Sequence, residues 1–376
     1  MNWGKQGPRI PSGPVAPVES AMQIHLFSSQ STASQAGFGV GAAPRAGHPL
    51  HLPDDLSAAL RANGHRVQVD LLGDALQGQE LTSLRQGAAA GRKIGPRLTG
   101  SGCVLHALDP VAWAAALTAR SLAEASVVLR FNAPPTRSVT ERQAYRACLR
   151  AADAIAVAED GDRLKAVRAG VSDKRAVIVP DVVGLPAEQS DRALLRPGRS
   201  LLSLNGIGPD SGIATLLPAL RRMPGRHLVV AGPGSATDAA TLRADLERLE
   251  LTDRVRWLGW VDRSRVVRLI DEAALVVLPS PTTEVTTAIE AMARSRAVAT
   301  VTGGAVADVV VNGVTGSVLP AGQPDLLGRA LRRLLNNPFQ LQAMGLAGRE
   351  RAMTRYARSR ALLATEQVYR IALGAA

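Results

Sequence analysis

The sequence predicts an α/β protein made of two domains, each with a parallel β-sheet covered by helices. Strand-like and helical segments alternate along most of the 376 residues, which is typical of parallel sheets joined by helical crossovers. The chain is long enough for two domains of ordinary size, and its 46% hydrophobic residues are sufficient for two cores. The clearest strand-helix-strand unit lies between residues 275 and 304.

The first 21 residues are rich in Pro and Gly and have no hydrophobic period, so we expect a disordered tail. A strand begins at Met22, which could also be the start of translation. A long loop of small residues, 30–52, follows this strand and contains Gly39 and Gly41. Because backbone amides in a glycine-rich turn can approach a phosphate, these two glycines are candidate ligand contacts. An ordinary surface loop is the alternative.

The first domain is expected to span residues 22–185. A helix with two leucines four residues apart ends at Gly64 and leads into a second strand. This second strand is predicted at 65–72, and further strands at 103–107, 126–131, 154–158 and 177–180. The predicted helices between them include 112–120 and 163–169. A polar segment at 186–198 is the expected linker, and the second domain begins at residue 199.

The unit at residues 275–304 also points to a binding site. Its first strand ends at Pro279, a helical pattern covers 287–293, and a second strand leads to the Gly303-Gly304 turn. Ligands of parallel α/β sheets bind beyond the carboxyl ends of the strands, where this loop and turn must lie. Since an ionised carboxylate accepts hydrogen bonds from hydroxyl groups, Glu290 is a candidate for binding sugar or ribose hydroxyls, and Glu284 lies in the same loop.

The same segment resembles the donor-binding signature of the GT-B glycosyltransferases, in particular the large retaining class called family 4. The family pattern PSxxE-x7-EAMAxGxPV followed by GGxxE is matched here by Pro279-Ser280, Glu284, residues 290–293 and Gly303-Gly304. Residues 309–320 match the loop and strand that come next in the family. The resemblance covers roughly residues 201–356 well and the first half of the chain loosely.

This resemblance implies a GT-B fold, with two Rossmann-like domains whose parallel sheets face a central cleft and a final segment, 356–376, that crosses back to the first domain. It implies retaining transfer of a sugar from a nucleotide-diphosphate sugar to an acceptor hydroxyl, with no essential metal or other cofactor. Glu290 would then bind the donor ribose and Glu284 the donor sugar. The glycines Gly206, Gly303 and Gly304 would approach the phosphate or sugar, and the backbone from Gly259 to Val261 would line the base.

The chain departs from the family pattern at residues 204–212. Ile207 and Ser211 stand where the family has an Arg and a Lys that clamp the donor diphosphate, and losing even one such group commonly costs on the order of 10²- to 10³-fold in rate. Glu284 and Glu290 are separated by five residues instead of seven, and Ser295 replaces the usual Gly. The alternative function is therefore a catalytically degenerate protein that binds a sugar nucleotide or pairs with an active transferase.

Three further features of the first half have two interpretations each. His106, at the end of an expected strand, resembles a family histidine that contacts the sugar or acceptor, and the alternative is a buried structural histidine. Asp109 is a candidate cleft carboxylate or a helix N-cap. The Asp160-Gly161-Asp162 sequence has the form of a metal-binding DxD, but acidic residues at a helix start are ordinary, so we expect no metal there.

The chain carries a net charge of +12. Arg142, Arg146 and Arg150 are spaced four residues apart and should form one stripe on a helix, suited to an anionic membrane or a phosphate-bearing lipid or glycan acceptor. A solvated basic surface is the alternative. Nucleic-acid binding is not expected, because no aromatic residues are interleaved with the arginines. Two cysteines without a metal pattern and no apolar run of bilayer length favour a cytoplasmic protein, either free or peripheral at the inner face of the membrane.

Overall fold

The computed structural model describes residues 21–28, 52–72, 83–98, 102–131, 139–180 and 200–374. The strands of these residues form two six-stranded parallel sheets, with orders β2-β1-β3-β4-β5-β6 and β12-β11-β10-β7-β8-β9. The strands are β1 Gln23–Ser28, β2 Arg66–Leu71, β3 Cys103–Ala107, β4 Ala125–Arg130, β5 Ala154–Val157, β6 Ala176–Ile178, β7 Ser200–Ser203, β8 His227–Val230, β9 Val255–Trp257, β10 Ala273–Leu278, β11 Val298–Val301 and β12 Gly316–Leu319. The predicted fold class is confirmed.

Helices connect the strands and cover the sheets. In the first domain they are α1 Leu52–Ala62, α2 Leu84–Ile94, α3 Pro110–Arg120, α4 Val139–Ala151 and α5 Asp160–Arg168. In the second they are α6 Ile213–Arg221, α7 Ala236–Arg248, α8 Arg263–Glu272, α9 Val285–Ala293, α10 Val306–Val309, α11 Pro324–Leu335 and α12 Pro338–Arg355, and α13 Arg358–Ala372 follows. Among the helices described, none is both long and apolar enough to cross a bilayer.

The first sheet has a hydrophobic core on each face. On one face Phe27 and Leu105 pack with Trp113 of α3. On the other, side chains of β1 and β3 to β5 pack with Val368 and Tyr369 of α13. The helix that follows the whole second domain therefore completes the core of the first one.

The junction between α12 and α13 is joined to the first domain by polar contacts. The Tyr356 hydroxyl donates to Glu159 Oε1 at 2.7 Å, and Arg355 Nη2 lies 2.9 Å from Glu159 Oε2. Gly161 of α5 also lies against α10, because a Cβ added to it would sit 2.4 Å from Asp308 Oδ2. Helices of both domains thus meet beside the point where the chain crosses back.

Candidate functional site

The candidate site lies at the carboxyl edge of the second sheet, where several loops are packed tightly together. Asn205 after β7 donates a hydrogen bond to Thr283 after β10. Gly206 has φ +67°, and a Cβ added there would sit 2.1 Å from the Pro233 carbonyl oxygen. A Cβ added to Gly304 would likewise sit 2.1 Å from the Pro281 carbonyl oxygen. Both glycines are therefore needed to pack these loops, and their contact with a phosphate stays a prediction.

The two predicted carboxylates lie on α9, which follows the loop after β10. Glu284 occupies the N-cap position in extended backbone, and Glu290 lies near the middle of the helix. Glu290 is buried, with a side chain 11% exposed, and its Oε1 lies 3.2 Å from Nη2 of Arg263. Burial raises the pKa of Glu290, while the charges of Arg263 and Arg294 oppose that rise.

Glu290 has unused capacity to accept hydrogen bonds. Within the described residues its Oε1 is buried and has no hydrogen-bond partner, despite its proximity to Arg263. A buried acceptor without a partner is costly, and a hydroxyl-bearing ligand would remove that cost. Glu290 Oε1 is therefore a candidate acceptor for a hydrogen bond from a ligand.

The neighbours of Glu290 are firmly fixed. Arg294 Nη1 donates to both carboxylate oxygens of Asp271, at 3.0 and 2.9 Å. Arg296 is buried and donates from Nε to the Ile270 carbonyl at 3.1 Å. Ser295, which stands where the family has Gly, adopts φ +55°, so the left-handed turn after α9 is kept with a non-glycine residue.

The two departures at residues 204–212 have clear structural roles. Ile207 is 4% exposed and belongs to the hydrophobic core, in contact with Gly234. Ser211 Oγ donates to the Gly208 carbonyl at 2.6 Å and accepts from the Ile213 amide at 3.2 Å. Ile207 therefore packs in the core and Ser211 stabilises its own turn. Neither side chain presents a cation to the site.

The segment predicted to line a base lies in the connection between β9 and α8. Gly259 has φ +65°, and its carbonyl accepts a hydrogen bond from the Gly232 amide at 2.8 Å. Trp260 is 42% exposed, which is unusual for so large an apolar side chain. The prediction covered the backbone from Gly259 to Val261 without singling out the Trp260 side chain, and it did not include Arg263, two residues beyond the segment.

His106 lies apart from this group of loops. It is buried on β3, and its Nδ1 is 2.9 Å from the hydroxyl of Tyr369. Burial, together with the charge of Arg130, lowers the pKa of His106 to about 3, so the ring is neutral. The bond to Tyr369 fits the alternative of a structural histidine, and the contact of His106 with a substrate stays a prediction.

Asp109 and the Asp160-Gly161-Asp162 sequence both lie at helix starts. Asp109 Oδ1 accepts from the Ala112 amide at 3.0 Å, so Asp109 is the N-cap of α3. Asp160 and Asp162 lie in the first turn of α5, and Asp162 pairs with Lys165 at 2.9 Å. The described residues contain no group of three His, Cys, Asp or Glu side chains arranged to hold a metal. Gly39 and Gly41 lie outside the described residues.

Comparisons with known proteins agree with the fold. The family model for glycosyl transferases group 1 matches residues 190–358. A phosphatidyl-myo-inositol mannosyltransferase of Mycobacterium tuberculosis is 31% identical over 264 residues, which cover 66% of this chain and 68% of that protein. Among solved structures, a sucrose-phosphate synthase from Thermosynechococcus elongatus has a TM-score of 0.75 at 19% identity, covering 94% of this chain and all of the other. Anabaena Alr3699/HepE, solved with UDP-glucose, has a TM-score of 0.67 at 15% identity, covering 92% and 98% of the two chains.

Proposed function

Because this chain belongs to the group 1 glycosyl transferases, we propose that it transfers a sugar from a nucleotide-diphosphate sugar to an acceptor hydroxyl with retention of configuration. The bond from the sugar's anomeric carbon to the diphosphate breaks, the acceptor oxygen forms the new bond, and the acceptor's proton leaves with the diphosphate. The observation that carries the proposal is the buried Glu290 carboxylate, whose Oε1 has no hydrogen-bond partner among the described residues at the carboxyl edge of the second sheet.

The loops around Glu290 suit the parts of such a donor. Glu290 accepts hydrogen bonds from the ribose hydroxyls, and Glu284 from hydroxyls of the sugar. The backbone of Gly259 to Val261 lines the base, and the loops of Gly206, Gly303 and Gly304 approach the phosphates. The reaction proceeds on these contacts without an essential metal, as the family resemblance implies.

For the acceptor, we propose a lipid or glycan hydroxyl presented at the inner face of an anionic membrane. The mycobacterial relative is named for a phosphatidyl-myo-inositol acceptor. On α4 the stripe of Arg142, Arg146 and Arg150 is exposed, with Arg150 donating to the Ala169 carbonyl at 3.3 Å. Exposed arginines attract anionic headgroups, so the protein would be cytoplasmic and peripheral.

A second candidate function is a catalytically degenerate member that binds a sugar nucleotide or pairs with an active transferase. The observation that favours it is the use of Ile207 in the core and of Ser211 in its own turn. Under this alternative the donor binds at Glu290, but the diphosphate lacks the positive charge that stabilises it as a leaving group.

The first experiment is a thermal-shift screen with UDP, GDP, ADP and their sugar conjugates, followed by donor-hydrolysis assays on any ligand that binds. A ligand that binds only the folded chain raises Tm. We expect a shift that is lost in Glu290→Ala and kept in Glu272→Ala, a matched control at the exposed end of α8. Binding with sugar release supports the transferase, whereas binding without turnover supports the degenerate member. If Glu290→Ala bound the donor as well as the wild type does, the site assignment would be wrong.

A further inference from the structure

The position of Arg263 makes it a second ligand-facing residue beside Glu290. It is the first residue of α8 and lies two residues after the segment that we assign to the base. The start of this helix is fixed because Asp262 Oδ1 accepts from the Arg265 amide at 2.8 Å and from Ser264 Oγ at 2.6 Å. The Arg263 side chain itself is 44% exposed, so its backbone is held while its guanidinium can reorient.

The contact of Arg263 with Glu290 is loose compared with those of the neighbouring arginines. Its Nη2 is 3.2 Å from Glu290 Oε1, yet this oxygen has no aligned hydrogen bond in the part of the chain that the structure describes. Arg294, by contrast, makes two hydrogen bonds to Asp271. Arg263 is therefore the cation beside Glu290 that can be released at the smallest cost.

A bound nucleotide diphosphate would change the partners of both residues. Ribose hydroxyls that donate to Glu290 take over the acceptor that faces Arg263, and the 44% exposed guanidinium is then available for another anion. The donor itself carries one, since its phosphates are joined to the ribose, and guanidinium-phosphate hydrogen bonds are among the stronger ones in proteins. Ile207 and Ser211 supply no competing cation.

We propose that Arg263 is a donor-binding residue that exchanges its ion pair with Glu290 for the diphosphate of the incoming nucleotide sugar. This inference rests on the proposed function and adds to it a source of positive charge for the phosphates. It also assigns the ligand class, because a nucleoside without phosphates would engage Glu290 but not Arg263.

The test compares diphosphates with nucleosides by isothermal titration calorimetry of the whole chain. UDP, GDP and ADP are titrated beside uridine, guanosine and adenosine, into the wild type, Arg263→Ala, Arg263→Lys and Arg268→Ala. Arg268 is an exposed arginine five residues further along α8 and serves as the matched control. We expect Arg263→Ala to raise Kd for the preferred diphosphate about 10- to 100-fold, the cost of losing a charged hydrogen bond. Nucleoside affinity should stay unchanged or increase, and Arg268→Ala should match the wild type.

Each outcome decides the question. Arg263→Lys retains the charge and should recover part of the diphosphate affinity, which also shows that the site is folded. If Arg263→Ala binds the diphosphate as tightly as the wild type, or if nucleoside and diphosphate lose affinity equally, the inference is wrong while the proposed function stands. If the wild type binds none of the three diphosphates, the proposed function fails and takes this inference with it.

Discussion

Tyr356 donates a hydrogen bond to Glu159 across the boundary between the two domains, at 2.7 Å. Both side chains are buried, and Arg355 lies 2.9 Å from the other oxygen of the same carboxylate. Burial and the charge of Glu159 raise the pKa of Tyr356, so the phenol keeps its proton and remains a donor. Two consecutive residues at the end of α12 thus hold one carboxylate at the start of α5.

Removing the Tyr356 hydroxyl should destabilise the protein. We expect Tyr356→Phe to lower the free energy of unfolding by about 1.5–3 kcal/mol, because it deprives a buried carboxylate of a donor while keeping the aromatic ring. Urea unfolding gives the value. A double-mutant cycle with Glu159→Gln isolates the pair, and a coupling energy near zero would contradict this account.

The stability contributed by position 290 should depend on pH in a defined direction. The folded pKa of Glu290 is raised by burial above its ordinary value of 4.5, so the folded chain holds this proton more tightly than the unfolded chain does. The wild type should therefore lose stability relative to Glu290→Gln as pH rises from 4.5 to the folded pKa. The loss is about 1.4 kcal/mol for each unit by which folding raises the pKa of Glu290. Chemical unfolding over this pH range tests the trend.

His106 should produce the opposite dependence. Burial lowers its folded pKa to about 3 from an ordinary value of 6.5. The stability that the neutral ring contributes is therefore fully present above pH 6.5 and is lost as pH falls toward 3. Between about pH 7 and about pH 4.5 the wild type should lose on the order of a few kcal/mol more than His106→Gln. Unfolding curves of the two proteins at matched pH values provide the comparison. If the free energies of unfolding of both proteins changed equally with pH, His106 would not be a buried neutral residue.

Gly206 should tolerate no side chain. Gly206→Ala places a methyl group against the Pro233 carbonyl and adds the cost of a left-handed backbone, which is about 1–2 kcal/mol. Gly225→Ala is a matched control, since it has a similar φ of +73° and no described atom within 4 Å of the added Cβ. The difference in Tm between the two variants measures the clash alone. Equal losses would mean that the loops do not pack as closely as the structure shows.

The exposed arginines of α4 should govern binding to anionic vesicles. Replacing Arg142 and Arg146 with Gln should weaken co-sedimentation with phosphatidylserine-containing vesicles about 20- to 30-fold, since each surface arginine contributes about 1 kcal/mol. Arg332→Gln with Arg333→Gln, an exposed pair on α11, controls for net charge. If both double variants lose the same affinity, the effect reflects overall charge and not this face.

Much of the second domain was predictable because its signals are local. The buried strand β10, the helix with Glu290 and the Gly303-Gly304 turn follow each other within about thirty residues, and periodicity with turn residues is sufficient to order them. Helix starts were predicted less well. We expected a helix from residue 112, but the cap at Asp109 and the proline after it start α3 at Pro110.

The ion pair between Arg263 and Glu290 could not be predicted from the sequence. Arg263 and Glu290 lie on different helices, so no local pattern joins them. The burial of Ile207 depends on the close approach of Gly234. The contact of His106 with Tyr369 was not foreseeable, because Tyr369 lies 263 positions later in the chain. Contacts between distant segments decided each of these cases.

The return of α13 to the first domain has a consequence for the order of events during synthesis on the ribosome. The apolar face of β1, β3, β4 and β5 needs Val368 and Tyr369, which emerge only after the whole second domain has been translated. Domains generally fold as they emerge, but the first domain must wait with one face of its sheet only partly covered, by Leu60 of α1. Nascent chains stalled before α13 should therefore bind chaperones through that face, and release of the finished chain should end this binding.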